Sequence, residues 1–177
     1  FNNKDVKNLN DESKDDINIS SQNLVMDIFE NIITDYDAVL LSDYGKGILP
    51  KNLTQLIIKS AKKNNKKVLI DPKGLNYSKY KGAFLLTPNK KEAGEATKID
   101  INDDKSLNKA IMQIKDECQL DISIITLSEN GIAIYDDNLR IQPTVAREVY
   151  DVTGAGDTIL ASLGFALSCN YEIDNAV

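Results

Sequence analysis

The stretch Asp151-Val-Thr-Gly-Ala-Gly-Asp157 brings small residues, a helix start and an acid to one point of the chain. Small residues let backbone amides approach a ligand closely, and the first N–H groups of a helix point outward without intrahelical partners. Such amides make an anion site suited to a phosphoryl group carrying developing negative charge. Asp157 stands in the first turn beside it. As a plain structural feature, such an acid complements the helix dipole. As a chemical one, it takes the proton from an attacking hydroxyl while a phosphoryl group transfers. A Gly-x-Gly-Asp taken alone does not separate these two readings.

Much other chemistry is excluded. The 177 residues contain no histidine, which removes Ser-His-Asp and Cys-His catalysis and histidine zinc sites, and leaves acid–base work to carboxylates or lysines. No GxxxxGK[ST] is present. Gly154 and Gly156 do not complete GxGxxG, because Ile159 occupies the third glycine position, so P-loop and dinucleotide-binding readings fall away. A net charge of -6 argues against nucleic acid as a partner, since phosphate backbones are gripped by clustered Lys and Arg. The basic run Lys59 to Lys67 is broken by two Asn and reads as a solvated helix face ending in a polar turn. Apolar runs such as Ala38 to Leu41 and Ile122 to Leu127 are too short to cross a bilayer. With no signal-peptide pattern either, no membrane partner and a cytoplasmic location are expected. Cys118 and Cys169 fall on helical patterns and read as small apolar fillers.

The elements that must position Asp157 follow from periodicity. Residues 1–20 carry few apolar side chains and no period, which predicts an irregular lead-in. From Ser21, with Ser20 or Ser21 as N-cap, Leu24, Val25, Ile28, Phe29, Ile32 and Ile33 recur at helical spacing and predict a helix packed by one face. Asp37 to Asp43 reads as a buried strand opening into the loop Tyr44-Gly-Lys-Gly47. Pro50 suits the first turn of a helix burying Leu53, Leu56, Ile57 and Ala61. Lys67 to Asp71 and Ala83 to Thr87 are strands, joined by a polar, tyrosine-bearing loop. A short helical stretch starts at Pro88, and Leu107, Ala110, Ile111, Ile114 and Cys118 mark a longer amphipathic helix. It feeds a strand over 122–126, then short strands over 132–135 and 139–142 with a turn between them. A last helix starts at Gly154-Ala-Gly156 and is expected to run to the chain's end. Strands rich in Val, Ile and Leu alternating with helices predict an α/β fold: a mostly parallel sheet with helices on both faces. Ligands on such sheets bind beyond the carboxyl ends of the strands.

The segment Arg147-Glu-Val-Tyr-Asp-Val-Thr-Gly-Ala-Gly-Asp-Thr158 resembles the C-terminal signature of the ribokinase-like (PfkB-type) carbohydrate kinases. Thr87-Pro-Asn-Lys-Lys-Glu92 is similar to that family's N-x-x-E element. Thr126-Leu-Ser-Glu-Asn-Gly131 is similar to its T-x-G-x-x-G nucleotide loop, with Ser128 in place of the middle glycine. Together with Leu41-Ser-Asp-Tyr-Gly-Lys-Gly47 and Asp71-Pro-Lys-Gly74, the set resembles the branch that phosphorylates O1 of D-glycero-β-D-manno-heptose 7-phosphate on the route to ADP-heptose and lipopolysaccharide. The resemblance implies ATP and Mg2+ as cofactors, Asp157 as base, and the amides of Gly154, Ala155 and Gly156 as anion hole. It implies that Asn89 and Glu92 organise magnesium and phosphate and that Thr126, Ser128 and Gly131 line the nucleotide site. Lys73 would meet a phosphate, and Asp43 and Lys46 the substrate. Taken alone, Asn89 and Glu92 also read as a helix cap followed by a surface acid, and Lys46 as part of a simple turn.

The resemblance further implies that residues 21–177 are the nucleotide and catalytic-base half of a ribokinase-like domain, its C-terminal part. Most sugar contacts and a lid would lie before Phe1, and further nucleotide contacts beyond Val177. The chain alone is then expected to be inactive, and the family allows a homodimer for the longer enzyme. Two rivals stand beside this reading: a sibling kinase for a ribose, fructose or tagatose derivative, and a non-catalytic nucleotide-binding module.

Overall fold

The computed structural model describes residues 14–143 and 154–177. Six strands form one sheet in chain order: β1 (Ala38–Ser42), β2 (Lys67–Asp71), β3 (Leu85–Leu86), β4 (Ile122–Thr126), β5 (Ile132–Tyr135) and β6 (Leu139–Gln142). β1 to β4 run parallel, and β5 and β6 fold back as antiparallel neighbours. The connections follow from this, because parallel neighbours need long crossovers whereas antiparallel ones need only a turn. The long crossovers carry α2 (Lys51–Lys63), between β1 and β2, and α3 (Lys90–Thr97) with α4 (Asp104–Cys118), between β3 and β4. α1 (Ile19–Ile32) precedes the sheet, and α5 (Ala155–Ser168) and α6 (Ile173–Ala176) follow it.

Alternation along the strands sends successive side chains into two cores. Val68, Ile70, Leu86, Ile125 and Ala133 meet α2 and α4 through Ile58, Ala61, Ala110, Ile111 and Ile114. Leu69, Leu85, Ile124 and Ile134 meet Leu160, Leu163 and Leu167 of α5 and Ile173 of α6. With both faces covered, the central strands bury Val68, Leu69, Ile70, Leu85, Leu86, Ile124 and Ile125, each worth about 1.5–3 kcal/mol. The register pairs Ser42 with Asp71 and Ile70 with Leu86, and a bridge joins Asn89 to Thr126. The carboxyl ends of the parallel strands therefore share one rim.

Several local expectations change. α1 begins at Ile19, capped by the Asn18 side chain, which accepts from the Ser21 amide. Its apolar face is largely unpacked: Leu24, Val25, Ile28 and Ile32 are 60%, 40%, 54% and 40% exposed, while Ile33 just beyond the helix is buried. Periodicity reveals an amphipathic face, but not whether a neighbour covers it: α1 lies against α2, and among the described residues β1 is the edge of the sheet. Ahead of α1, the Ile17 amide donates to the Gly47 carbonyl, so this part of the expected lead-in lies against the glycine loop. In α2, Leu56 is exposed, and Thr54 is buried with its hydroxyl bonded back to the Pro50 carbonyl at 3.0 Å. The tyrosine-bearing loop is not polar throughout, since Tyr77 and Tyr80 sink into the first core. Cys118 is buried, but Cys169 is exposed, because α5 stops at Ser168 and the chain turns at Asn170 before α6.

Candidate active site

The N-terminus of α5 meets the rim at the ends of β1 and β2. Gly154, the residue before α5, has φ 78 and no side-chain cap, and a Cβ there would meet nothing within 4 Å. Glycine thus supplies the left-handed backbone that leads into the first helical amides, and among the described residues nothing crowds that position. At α3 the situation is the reverse. Asn89 Oδ1 accepts from the Glu92 amide at 2.9 Å and Glu92 Oε2 accepts from the Asn89 amide at 3.1 Å, a capping box that closes that helix end. Among the described residues no side chain closes the α5 end in that way.

Asp157, one turn into α5, receives two hydrogen bonds from the end of β1: Ser42 Oγ donates to Oδ1 at 2.8 Å and Tyr44 Oη donates to Oδ2 at 2.7 Å. The bond from Tyr44, then that from Ser42, holds the Asp157 carboxyl below the ordinary carboxylate range. The same contact raises the Tyr44 phenol.

Asp71 ends β2 and carries no site role in the sequence reading, yet it occupies the centre of the rim. Burial, then the charges of Glu92 and Asp157, raise its carboxyl to about 6, against the opposing pull of Lys73. A Cβ on Gly156 would lie 3.2 Å from Asp71 Oδ2, so α5 approaches β2 this closely because that position is glycine. In the sequence Asp71 closes an apolar strand before Pro72 and opens the Asp71-Pro-Lys-Gly74 motif. Glu92 is not a surface acid; its side chain is 18% exposed and Oε1 accepts from Lys73 Nζ at 2.6 Å. That ion pair, chiefly its hydrogen bond, raises the Lys73 ammonium.

A cleft of about 1320 Å³ runs from this rim over the end of β4. Asp71, Asn89, Glu92, Thr126, Ser128, Gly131, Ala155 and Gly156 line it, so residues from β2, α3, β4 and α5 converge on one space. Ser128 has φ 55, the left-handed region, at the position where the family pattern has glycine. Gly131 has φ 95, and a Cβ there would come within 2.0 Å of the Gln142 carbonyl on β6. Lys73, Gly154 and Asp157 stand beside the cleft, not in its wall.

Asp43 faces away from α5. It is buried and holds the ammonium of Lys79, the phenol of Tyr80 at 2.7 Å and the Gly45 amide at 2.7 Å. Burial alone would raise its carboxyl, but these donors carry it below the ordinary value. Its contacts anchor a loop. Lys46 is exposed in that loop and does not line the cleft.

A mostly parallel sheet covered by helices, with residues of β2, α3, β4 and α5 converging at the ends of its strands, defines an α/β domain with a ligand cleft at that rim. The model of the pfkB family carbohydrate kinases matches residues 5–177, and the chain belongs to that family. It is 59% identical over 166 residues to the Bifunctional protein HldE of Aliarcobacter butzleri, covering 94% of this chain and 35% of that protein. It is 56% identical to the protein of the same name from Sulfurimonas denitrificans, covering 93% and 35%. The chain thus spans about a third of the length of these curated relatives. Among solved structures, Arabidopsis thaliana ribokinase complexed with ribose and ATP matches with a TM-score of 0.74 at 21% identity, over 85% of this chain and 49% of that one. Escherichia coli phosphofructokinase-2 in complex with potassium matches with a TM-score of 0.74 at 19% identity, over 91% and 53%. These likenesses establish the ribokinase-like fold. Among the described residues no helix is long and apolar enough to cross a membrane.

Proposed function

We propose that the chain is the nucleotide-binding and catalytic-base part of an ATP-dependent kinase that phosphorylates O1 of D-glycero-β-D-manno-heptose 7-phosphate, in the route to ADP-heptose and lipopolysaccharide. The observation that carries the reading is Asp157 standing in the first turn of α5, beside the cleft, at a helix end that no described side chain caps. Family membership gives the reaction class, and the likeness to proteins named HldE favours a heptose over the sugars of sibling kinases.

Asp157 takes the proton of the acceptor hydroxyl. The acceptor oxygen bonds to the γ-phosphorus as the bond to the bridging oxygen breaks, and ADP carries away that electron pair. The amides of Gly154, Ala155 and Gly156 receive the charge that grows on the phosphoryl oxygens. Thr126, Ser128 and Gly131 form the nucleotide side of the cleft.

Among the described residues no group of three or more acids, cysteines or histidines is placed to hold a metal ion unaided. Asp71 and Glu92 nonetheless fit a shared site, because both line the cleft and the Glu92 charge adds to burial in raising the Asp71 carboxyl, a repulsion that a cation would relieve. Magnesium bound there together with the triphosphate would neutralise phosphate charge. Asn89 holds Glu92 in place through the capping box, and Lys73, paired with Glu92, is within reach of a phosphate beside it. ATP and a sugar phosphate as ligands place the enzyme in the cytoplasm, and a homodimer suits the longer protein.

The test is phosphoryl transfer from ATP with Mg2+ to a panel of sugar phosphates by the full-length protein and its Asp157→Asn variant. Turnover with the heptose is expected, with a loss of about a thousandfold or more in the variant and ATP binding kept within a few fold. Near-normal turnover by the variant would remove Asp157 from the mechanism. A preference for another sugar would move the assignment to a sibling kinase.

A further inference from the structure

Alternation along β1 does not stop at its last residue. Val39 and Leu41 pack into the core under α2 and α4, and Asp43 continues on that side, tied to Lys79 and Tyr80. Leu40 faces α5, where a Cβ on Gly164 would meet it at 2.6 Å. Ser42 and Tyr44 continue on that side and reach the two carboxylate oxygens of Asp157. Anchoring Asp43 thus sets both neighbours toward α5. Ser42 sits on the strand, paired in register with Asp71. Tyr44, by contrast, is 63% exposed at the start of a glycine loop, so one donor is rigid and the other free to swing.

We propose that Ser42 and Tyr44 are positioning residues forming a two-point clamp on Asp157, in which Ser42 holds Oδ1 throughout and Tyr44 holds Oδ2 until the acceptor hydroxyl takes its place. The inference rests on reading Asp157 as the base. A general base must accept a hydrogen bond from the hydroxyl it deprotonates, and the Tyr44 phenol already occupies one oxygen with that geometry. Oδ1 stays held by Ser42, so the carboxylate cannot rotate away when Tyr44 leaves.

Removing either donor withdraws stabilisation from the ionised carboxylate, so the Asp157 titration moves to higher pH. Among the described residues, the other ionisable group facing Asp157 is Asp71 at the end of β2, which in turn feels Glu92, Lys73 and Asp43. All of these stay constant across the variants, and differences therefore report Asp157.

The experiment uses the full-length protein with 13C-labelled aspartate carboxyls, the Asp157 signal being assigned by its loss in Asp157→Asn. Its midpoint is expected to rise by at least about half a pH unit in Ser42→Ala and in Tyr44→Phe; an unmoved midpoint in either overturns the clamp. Kinetics with ATP and the heptose 7-phosphate then separate the two donors. Ser42→Ala should lower kcat about tenfold and raise the acid limb of both kcat and kcat/KM, and Ser42→Thr should restore both. Tyr44→Phe should raise the acid limb of kcat/KM alone, because kcat reports the complex in which the acceptor has replaced the phenol. Equal movement of both limbs in Tyr44→Phe overturns the displacement. If the wild type transfers phosphate to no sugar, the kinase reading fails, while the carboxyl midpoints still decide the clamp.

Discussion

Replacing Asp71 by Asn should stabilise the protein at neutral pH and leave it unchanged in acid. The Asp71 carboxyl is raised from 3.8 to about 6, first by burial and then by Glu92 and Asp157. At about 1.4 kcal/mol per tenfold in proton affinity, that corresponds to about 3 kcal/mol in full. Asp71 is only half-buried at the lip of an open cleft, so solvent screening reduces the net to about 1–2 kcal/mol. Because the folded-state pKa is the higher one, the folded chain binds more protons than the unfolded chain between about pH 4 and 6. Stability therefore falls as pH rises through that window, and the penalty is complete above it. Asn carries no charge at any pH and escapes the penalty. Urea unfolding followed by circular dichroism, at a series of pH values, should show the variant ahead by about 1–2 kcal/mol at pH 7, with the gap closing near pH 4. A gap that persists undiminished into acid, or a variant less stable than wild type at pH 7, would refute the electrostatic reasoning.

Two further outcomes follow from backbone geometry. Gly131→Ala drives a Cβ to within 2.0 Å of the Gln142 carbonyl at φ 95, and should cost roughly 2–4 kcal/mol by splaying β6 from β5; a thermal midpoint equal to wild type would contradict this. Ser128→Gly places glycine at φ 55, and should gain up to about 1 kcal/mol in urea unfolding, once the greater freedom of the unfolded chain is subtracted. A loss of stability there would mean that the Ser128 side chain supports the loop by contacts outweighing its backbone strain.

The strands of the sheet were largely legible before any coordinates. β2, β4, β5 and β6 fall where apolar runs bounded by turn residues place them, because a strand's pattern is local and its ends are marked by Pro, Gly, Asp and Asn. β3 shrinks to Leu85–Leu86, since pairing with both neighbours, not propensity, sets its length. The face of α1 was misread for a related reason. Leu24, Val25 and Ile28 have the spacing of a packed face, but packing depends on a partner, and β1 is the sheet's edge.

For the site, the sequence by itself determined the chemistry available. Without histidine, acid–base work lies with carboxylates, and Gly154-Ala-Gly156-Asp157 marks a helix start with a carboxylate in its first turn, both being properties of consecutive residues. Only the tertiary structure decided which groups act on that carboxylate. Ser42 and Tyr44 lie 115 and 113 residues from Asp157, and Asp71 acquires its raised pKa first from burial and then from Glu92 and Asp157 on separate helices. Such proximity comes from parallel strands ending on one rim and from a glycine that lets α5 close on β2. Local periodicity encodes which face a side chain takes, but not which distant element will stand opposite it.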